Sequence, residues 1–472
     1  METKKRVIIV GAGEAGRMLL REIQVHAADS YEIAGFIDDN PGLAERDVGG
    51  VPIVGRSDDI AALVPSLSVG EVLIAVPSAE REFVRRVVRQ CRDANVPFRV
   101  VPGLLEIIKG PVHLEQLRDM RPEDLLGRES VEFDESTISE KLAGATVLVT
   151  GAGGSIGGEI SRQIGRFGLG KLVLLGRGEN QIYEIEHEMG LLHPGVATEV
   201  VIVDIRDRRA LTRAFERISP DFVYHAAAHK HVHYMEAFPA EAVKNNVFGT
   251  RNVIEAAQSS RVRRVVMLST DKAVNPIGIM GATKRFAEYL MMNGRRDEET
   301  PRLITVRFGN VLASRGSVVP LFVKQVRAGG PVTVSHQDAS RFFMSLKEAC
   351  MLVVEASLMG QGGEIYILRM GKPIRIVELA KDLIALHGLR PGIDVPITYS
   401  GLRPGEKMHE ELVASSEETT TSAHPFILHS NSRIPEEFEL AHALKELKRL
   451  CDEGDDEGVR RLLAHAIPES SL

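Results

Sequence analysis

The segment Ser269–Lys284, S-T-D-K-A-V-N-P-I-G-I-M-G-A-T-K, contains the side chains best suited to acid–base chemistry. It follows an apolar run, Val265–Leu268, that predicts a buried parallel strand, and it precedes a helical pattern at Arg285–Glu288. Ligands of open parallel sheets bind outside the carboxyl ends of the strands, so these side chains would meet at one rim. Alone, the pattern also fits a polar loop between a strand and a helix. The candidate catalytic residues of the segment are Thr270, Asp271, Lys272 and Lys284.

A glycine-rich loop earlier in the chain favours the functional interpretation. A predicted strand at Thr146–Thr150 runs into G-A-G-G-S-I-G, and a helical pattern follows at Glu159–Phe167. This spacing turns the chain tightly, lets a pyrophosphate approach the backbone and packs the helix on the sheet. Later strand ends offer an adenine contact and small side chains against which a dinucleotide can lie. The predicted dinucleotide contacts are Gly151, Gly154, Ser155, Ile156, Gly157, Arg177, Asp204, Ile205, Ala226, Ala227 and Ala228.

The choice between NAD and NADP depends on the end of the next predicted strand, Leu172–Leu175. It ends in Gly176-Arg177, where an NAD-selective protein usually offers an acid to the ribose 2′-hydroxyl. An arginine there tolerates a 2′-phosphate, so we favour NADP over NAD. Glu179 lies close enough in sequence to weaken that inference.

The first part of the chain predicts a second nucleotide-type domain. Arg6–Val10 reads as a strand that runs into G-A-G-E-A-G, and a later strand ends in Asp38-Asp39, where a ribose-binding acid is expected. We predict an α/β protein with two Rossmann-like doubly wound parallel-sheet domains. Their bounds are 1–105 for the first, whose role is open, 106–142 for a connector, and 143–466 for the second, with a smaller C-terminal substrate-binding lobe mainly at 307–430.

Cationic and amide side chains in the second domain are expected to hold an anionic substrate. The loop H-K-H-V-H contains three histidines, but their spacing without a second cluster favours anion contact by Lys230 over metal binding. Arginines in the lobe suit a diphosphate, because arginine pairs phosphate bidentately. We predict no metal site. The candidate substrate-binding residues are Lys230, His231, Asn246, Asn310, Arg315, Arg341, Arg403 and Glu406.

The composition of the whole chain limits the function further. A formal net charge of −7 over 472 residues gives no reason to expect nucleic acid as a partner. No apolar run is long enough to span a membrane, and no signal-like segment precedes the first strand. Three separated cysteines fit a reducing compartment, so we expect a cytoplasmic protein, and we expect a homo-oligomer.

The chain resembles the polysaccharide-biosynthesis nucleotide-sugar 4,6-dehydratases, a branch of the extended short-chain dehydrogenase/reductases, in the form that lacks membrane helices. The resemblance covers about Val147 to Glu411. The matching segments are T-G-A-G-G-S-I-G, A-A-A-H-K-H-V, N-N-V-F-G-T, S-T-D-K-A-V-N-P, M-G-A-T-K-R, R-F-G-N-V-L-A-S-R-G-S-V-V-P-L-F, S-R-F-F-M and L-R-P-G-E-K.

The resemblance implies a reaction on a UDP-N-acetylhexosamine, above all UDP-N-acetylglucosamine, with a tightly bound NAD or NADP. Hydride would leave C4, water would be eliminated across C5–C6, and the hydride would return to C6. Lys272 would remove H5, which requires a depressed pKa, and Asp271 would protonate the departing C6 hydroxyl. Lys284 would orient the nicotinamide ribose, as a further cofactor contact.

Met280 departs from the superfamily pattern, which has a tyrosine four residues before the lysine. A thioether cannot take the proton of the C4 hydroxyl, so Asp271 would serve twice, as base for O4 and then as acid for O6. The branch of the family with methionine is associated with retained configuration at C5. Two other functions stay open: a nucleotide-sugar C4 epimerase, and a non-catalytic sensor of dinucleotides or sugar nucleotides.

Overall fold

The computed structural model describes residues 4–43, 47–76, 79, 81–101, 131, 133–294, 301–312, 314–435 and 439–472. Most of the predicted connector at 106–142 lies outside these residues. The chain forms two compact units. The first comprises Met1–Glu132, Leu321–Thr333 and Glu378–Thr398, and the second comprises Phe133–Pro320, Val334–Val377 and Tyr399–Leu472. Two segments from the second half of the sequence therefore belong to the first unit, which the sequence analysis did not anticipate.

The first unit is built on a six-stranded sheet with the order β3-β4-β2-β1-β5-β6. All its pairings are parallel except that of β3 with β4. The strands are β1 Lys5–Val10, β2 Tyr31–Ile37, β3 Asp47–Val48, β4 Val51–Gly55, β5 Glu71–Ile74 and β6 Phe98–Val100. The helices are α1 Glu14–His26, α2 Ile60–Ser66 and α3 Arg81–Asp93, with short turns at Pro41–Leu43 and Ser57–Asp59.

The two predicted ribose acids of this unit are engaged by the protein itself. Asp38 Oδ2 accepts a hydrogen bond of 2.8 Å from the backbone N–H of Ala12, inside the glycine loop. Asp39 binds the hydroxyl of Ser57 and the guanidinium of Arg86. These carboxylates therefore stabilise the loop and the sheet edge.

The second unit contains a nine-stranded sheet with the order β20-β21-β17-β12-β11-β10-β7-β8-β9. The seven strands from β17 to β9 in this order pair in parallel, and β21 and β20 extend the sheet antiparallel. From residue 133 the strands are β7 Thr146–Thr150, β8 Lys171–Gly176, β9 Ala197–Ile202, β10 Phe222–His225, β11 Arg264–Thr270, β12 Arg302–Phe308, β13 Asn310–Val311, β14 Val332–Val334, β15 Ser340–Arg341, β16 Phe343–Met344, β17 Ile365–Leu368, β18 Ile374–Arg375, β19 Ile397–Tyr399, β20 Thr419–Thr421 and β21 Ile427–Ser430.

The helices from residue 133 onward alternate with strands of the large sheet as far as β12, as the sequence predicts. They are α4 Glu135–Leu142, α5 Ser155–Ile164, α6 Glu179–Leu192, α7 Arg208–Ile218, α8 Val232–Ala237, α9 Pro239–Ala242, α10 Gly249–Ser259, α11 Ile279–Asn293, α12 Val318–Arg327, α13 Leu346–Met359, α14 Ile376–Leu386, α15 Leu440–Glu453 and α16 Asp456–Ala466. A wide helical turn at Val243–Phe248 joins α9 to α10, and a single turn at Asp271–Ala273 follows β11. The predicted α/β class with two parallel-sheet units is confirmed.

Two helix starts differ from the predictions. The helix after the glycine loop begins at Ser155 and not at Glu159. The last loop residues, Ser155 to Gly157, therefore form the first turn of α5. The helix after the acid–base segment begins at Ile279, whereas the sequence placed Met280 and Lys284 in a loop. Met280 and Lys284 are therefore one turn apart on α11.

Candidate active site

The acid–base segment folds at the carboxyl end of β11, as the sequence predicts. The hydroxyl of Thr270 caps the turn that follows, because it accepts from the backbone N–H of Lys272 and donates to Asp271 Oδ1 at 2.8 Å. Lys272 Nζ donates to the same carboxylate oxygen at 2.9 Å and to Asn310 Oδ1 at 3.3 Å. Four of the predicted site residues thus form one hydrogen-bonded cluster.

Glu410 completes this cluster, and the sequence analysis missed it. Its Oε1 lies 3.4 Å from Lys272 Nζ and 3.6 Å from Arg341 Nε. Arg341 is also bound by Glu406, at 3.1 Å, and by two backbone carbonyl oxygens. The only sequence signal for Glu410 is its place just after L-R-P-G-E-K, in a run that also contains exposed Glu411.

The two carboxylates that flank Lys272 each keep one oxygen free. Asp271 is fully buried and Glu410 is 7% exposed. In the described part of the chain, Asp271 Oδ2 and Glu410 Oε2 are buried without a hydrogen-bond partner. A buried carboxylate oxygen without a partner is costly, so a ligand that donated hydrogen bonds to these two oxygens would remove that cost.

The charge state of Lys272 differs from the expectation. Burial lowers the pKa of Lys272, but the nearby carboxylates of Asp271 and Glu410 outweigh it and raise the pKa above its usual value. The prediction of a depressed pKa for Lys272 is therefore wrong, because Glu410 adds a second carboxylate beside the amine. Lys272 is held as an ammonium with three acceptors around it.

Helix α11 packs directly on this cluster. A Cβ on Gly281 would overlap the carbonyl oxygen of Lys272, so glycine is required for the close approach. Met280 is 3% exposed and packs in the apolar core of the unit. Burial lowers the pKa of Lys284, four residues further along α11, to about 8. The sequence analysis did not identify buried His225, whose ring contacts the hydroxyls of Thr150 and Thr250.

The glycine loop has the shape that a dinucleotide phosphate needs. Gly151 has φ +66°, and a Cβ there would lie 2.8 Å from the backbone of Ala227. A Cβ on Gly157 would overlap the carbonyl oxygen of Gly151. Gly154 directly precedes α5, whose N-terminus presents backbone N–H groups to an anion. Side chains at Gly151 and Gly157 would collide with neighbouring backbone, so the tight turn depends on glycine. The turn and the N–H groups at the start of α5 fit the pyrophosphate of the dinucleotide that the fold implies.

The corner expected to hold the adenosine ribose contains both acidic and basic groups. Arg177 lies 3.5 Å from Asp204, which also binds Arg206. Burial acts to raise the pKa of Asp204. The hydrogen bonds from Arg206 and the charge of Arg177 outweigh burial and lower this pKa to about 2. Ile205 is buried, and its carbonyl accepts from Asn252. Arg177 thus has an acidic neighbour that the sequence analysis did not pair with it.

Five of the eight predicted substrate residues form two groups. Asn310, Arg341 and Glu406 belong to the acid–base cluster. Lys230 and Arg315 instead lie on the glycine loop: Lys230 Nζ donates to the carbonyl of Arg315, whose own N–H donates to Ser155 Oγ at 2.9 Å.

The remaining three predicted substrate residues are placed as follows. His231 lies against Gly316, where a Cβ would meet its ring, and Arg403 is exposed in a turn closed by Glu406. The amide of Asn246 makes four hydrogen bonds, to His229, Asn245 and Thr283. Asn246 therefore ties the H-K-H-V-H loop to α11. Substrate contacts by all three residues stay predictions.

The histidine loop forms an aromatic cluster, in which the rings of His231, His233 and Tyr234 lie 4.2 to 6.1 Å apart.

Over the residues that the structure describes, no three His, Cys, Asp or Glu side chains are grouped as metal ligands. No helix within that same part of the chain is long and apolar enough to cross a membrane.

A parallel sheet, a glycine loop at the start of α5, and a lysine on the helix after an acid–base turn define an extended short-chain dehydrogenase/reductase. Residues 147–432 match the family described as "Polysaccharide biosynthesis protein", and residues 1–102 match the family described as "CoA-binding domain". The chain belongs to the polysaccharide biosynthesis protein family.

Curated relatives agree with this assignment. The "Probable polysaccharide biosynthesis protein EpsC" of Bacillus subtilis is 44% identical over 413 residues, which are 87% of this chain and 69% of that protein. The "Capsular polysaccharide biosynthesis protein CapD" of Staphylococcus aureus is 42% identical over 420 residues, 88% of this chain and 69% of that protein. A UDP-glucose 4-epimerase of Rickettsia akari is 35% identical over 285 residues, 58% of this chain and 78% of that protein.

Solved structures share the fold. The X-ray structure of Pen from Bacillus thuringiensis has a TM-score of 0.56 and 34% identity, and the match covers 61% of this chain and 88% of that one. DesIV, a dTDP-glucose 4,6-dehydratase from Streptomyces venezuelae solved with NAD and DAU bound, has a TM-score of 0.50 and 21% identity, with 56% of this chain and 87% of that chain covered.

Proposed function

We propose that this protein catalyses the 4,6-dehydration of a UDP-N-acetylhexosamine, above all UDP-N-acetylglucosamine, to the 4-keto-6-deoxy sugar. The observation that carries the proposal is the buried contact of Asp271 with Lys272, at 2.9 Å. A carboxylate and an ammonium in hydrogen-bond contact can take a proton from one substrate oxygen and give one to another. Dehydration between C4 and C6 needs both transfers.

The residues of the chain divide this work. Asp271 Oδ2, which has no partner in the described structure, is the atom that accepts the proton of the C4 hydroxyl. Lys272, held as an ammonium, donates a proton to the departing C6 hydroxyl, the role that the resemblance gave to Asp271. Met280 has no ionisable group and shapes the apolar side of the site, and we expect retained configuration at C5.

The dinucleotide is held by the glycine loop and by α11. Gly151 and Gly157 allow the tight turn that brings backbone N–H groups to its pyrophosphate, and Gly151 packs against the backbone of Ala226 and Ala227. Lys284 binds the nicotinamide ribose. When bound, the dinucleotide accepts hydride from C4 and returns it to C6, so it stays on the enzyme. NAD is bound by the DesIV dehydratase of the same fold, and the preference for NADP stays a prediction.

Mass spectrometry of UDP-N-acetylglucosamine incubated with the purified protein tests the proposal. Loss of the mass of one water is the expected result. An isomer of unchanged mass would identify a C4 epimerase, and an unaltered substrate would identify a sensor. Similarity to a UDP-glucose 4-epimerase over 58% of the chain makes epimerisation the second candidate. The site favours dehydration, because an epimerase has no need of a proton donor at C6 or of a second buried carboxylate.

A further inference from the structure

We infer that Glu410 is a catalytic residue of this site, the base that removes H5 and later returns a proton to C5. This inference rests on the proposed dehydration. It is carried by the position of Glu410 beside Lys272, opposite Asp271, and by its own free oxygen. Among the described residues, Asp271 and Glu410 are the two that pair with Lys272 through one carboxylate oxygen and leave the other oxygen buried without a partner.

The geometry around Lys272 separates the roles of the three ionisable groups. Asp271 Oδ1 and Glu410 Oε1 both bind the ammonium, at 2.9 Å and 3.4 Å. Their second oxygens, Asp271 Oδ2 and Glu410 Oε2, are buried and have no partner in the described residues. Each carboxylate is therefore anchored by one oxygen and offers the other. A site of this form serves two proton acceptors, and the hydroxyl at C4 requires only one.

An ammonium has no lone pair with which to take H5. A carboxylate oxygen has one, and Glu410 Oε2 is buried without a hydrogen-bond partner in the described residues. H5 is acidic once C4 is a ketone, so a carboxylate is a sufficient base for it. Arg341 Nε, 3.6 Å from Glu410 Oε1, helps to hold the carboxylate in place.

The proton transfers balance with these assignments. Asp271 takes the proton of O4 as hydride leaves C4. Glu410 takes H5, the electron pair of the C5–H bond forms the C5–C6 double bond, and the C6 hydroxyl leaves as water with a proton from Lys272. The hydride removed from C4 then returns to C6 while the carboxyl of Glu410 gives its proton to C5. After the product leaves, Asp271 releases the O4 proton to water and Lys272 takes up a proton from water, so every group is restored.

Exchange of the C5 proton tests the assignment without the redox steps. The 4-keto-6-deoxy product, made by the wild-type enzyme, is incubated in D₂O with each variant, and deuterium at C5 is followed by NMR. Glu410→Gln should slow exchange by about 10²–10⁴-fold, the usual contribution of a general base. Lys272→Met should exchange within a few-fold of wild type and yet fail to convert UDP-N-acetylglucosamine. Glu418→Gln, which changes an exposed carboxylate in the same part of the sequence, is the matched control and should behave as wild type.

Two further variants separate a chemical role from a structural one. Glu410→Asp keeps a carboxylate and should exchange faster than Glu410→Gln, and formate should restore exchange to Glu410→Ala. Exchange by Glu410→Gln at the wild-type rate, with loss in Lys272→Met, would return the base role to Lys272 and overturn the inference. Equal loss in the Gln, Asp and formate-treated Ala variants would show a structural role only. If wild-type protein does not remove water from the UDP-sugar, the proposed function fails first.

Discussion

At the scale of single residues, the charge of Lys272 is balanced by two carboxylates, and one of them comes from a distant part of the sequence. Asp271 and Lys272 are neighbours in the chain, so their pairing follows from the turn after β11. Glu410 is distant in sequence, yet it decides whether Lys272 is an amine or an ammonium. The candidate site was therefore predictable as a set of residue types, but the direction of proton transfer was not.

Asp271→Asn tests the first proton transfer. The amide cannot accept the proton of the C4 hydroxyl, so we expect turnover to fall about 10²–10⁴-fold. Reduced dinucleotide, followed by its absorbance, should not accumulate, because the block precedes hydride removal. Asp452→Asn, which changes an exposed carboxylate paired with Lys448, is the control and should leave turnover unchanged. Formation of reduced dinucleotide at the wild-type rate in Asp271→Asn would contradict the role.

The buried amine of Lys284 should lower the free energy of unfolding of the dinucleotide-free protein. Burial lowers the pKa of Lys284 from the usual 10.5 to about 8. This shift corresponds to a cost of about 3 kcal/mol for keeping the amine charged in the folded protein. The unfolded chain binds this proton more readily, so the free energy of unfolding rises with pH across the interval between the two values. Lys284→Met should raise the free energy of unfolding near neutral pH by up to about 3 kcal/mol and weaken dinucleotide binding.

Urea unfolding of dinucleotide-free protein at several pH values measures this effect. The advantage of Lys284→Met over wild type should shrink as the pH approaches the usual pKa of lysine, because the wild-type amine is then neutral in both states. Lys445→Met, at an exposed position, should show no such trend. An advantage that stays constant with pH would point to packing and not to the buried charge.

At the scale of elements, a buried ionic network connects the strands and helix that position the site. Arg307 on β12 binds Glu288 of α11 and Glu417, and all three side chains are at most 3% exposed. Ser269 Oγ donates to Glu288 at 2.6 Å, which attaches the end of β11 to α11 one residue before Thr270. Burial acts to raise the pKa of Glu288, but the charges of Arg307 and Arg285 outweigh burial and lower this pKa to about 2. The sequence predicted these strands, but not the network between them.

Glu417→Gln should destabilise the protein strongly. The carboxylate accepts two hydrogen bonds from Arg307, at 2.7 and 3.1 Å, and an amide leaves that buried guanidinium partly unpaired. Breaking a buried ion pair typically costs about 3–5 kcal/mol. Chemical denaturation measures the loss, and turnover should fall with it because Ser269 and Thr270 are positioned through the same network. Glu418→Gln, an exposed neighbour, should change the unfolding free energy little. A loss no greater than in Glu418→Gln would contradict the network's role.

At the scale of the whole molecule, sequence alternation gave the two sheets but not the composition of the first unit. Periodicity detects strands and helices one at a time, and it carries no information on which distant segment packs on which sheet. Leu386 packs on the apolar core of the first unit that contains Ile60 and Val64. In the same unit, Arg92 donates to the carbonyl of Leu389 at 2.7 Å. The segment Glu378–Thr398 is thus part of that unit, although a long stretch of sequence separates it from the first sheet.

A chain shortened to begin at Glu106 separates the chemistry from this packing. All the proposed catalytic residues lie in the second unit, so we expect the shortened chain to retain exchange of H5 and loss of water from the UDP-sugar. Its melting temperature should fall, because the apolar side chains of Glu378–Thr398 lose the partners just described. Full-length Leu386→Ala is the matched control: it should lower the melting temperature by a smaller amount and keep full turnover. A shortened chain with a native circular dichroism spectrum that neither exchanges H5 nor loses water would show that the first unit contributes to the reaction itself.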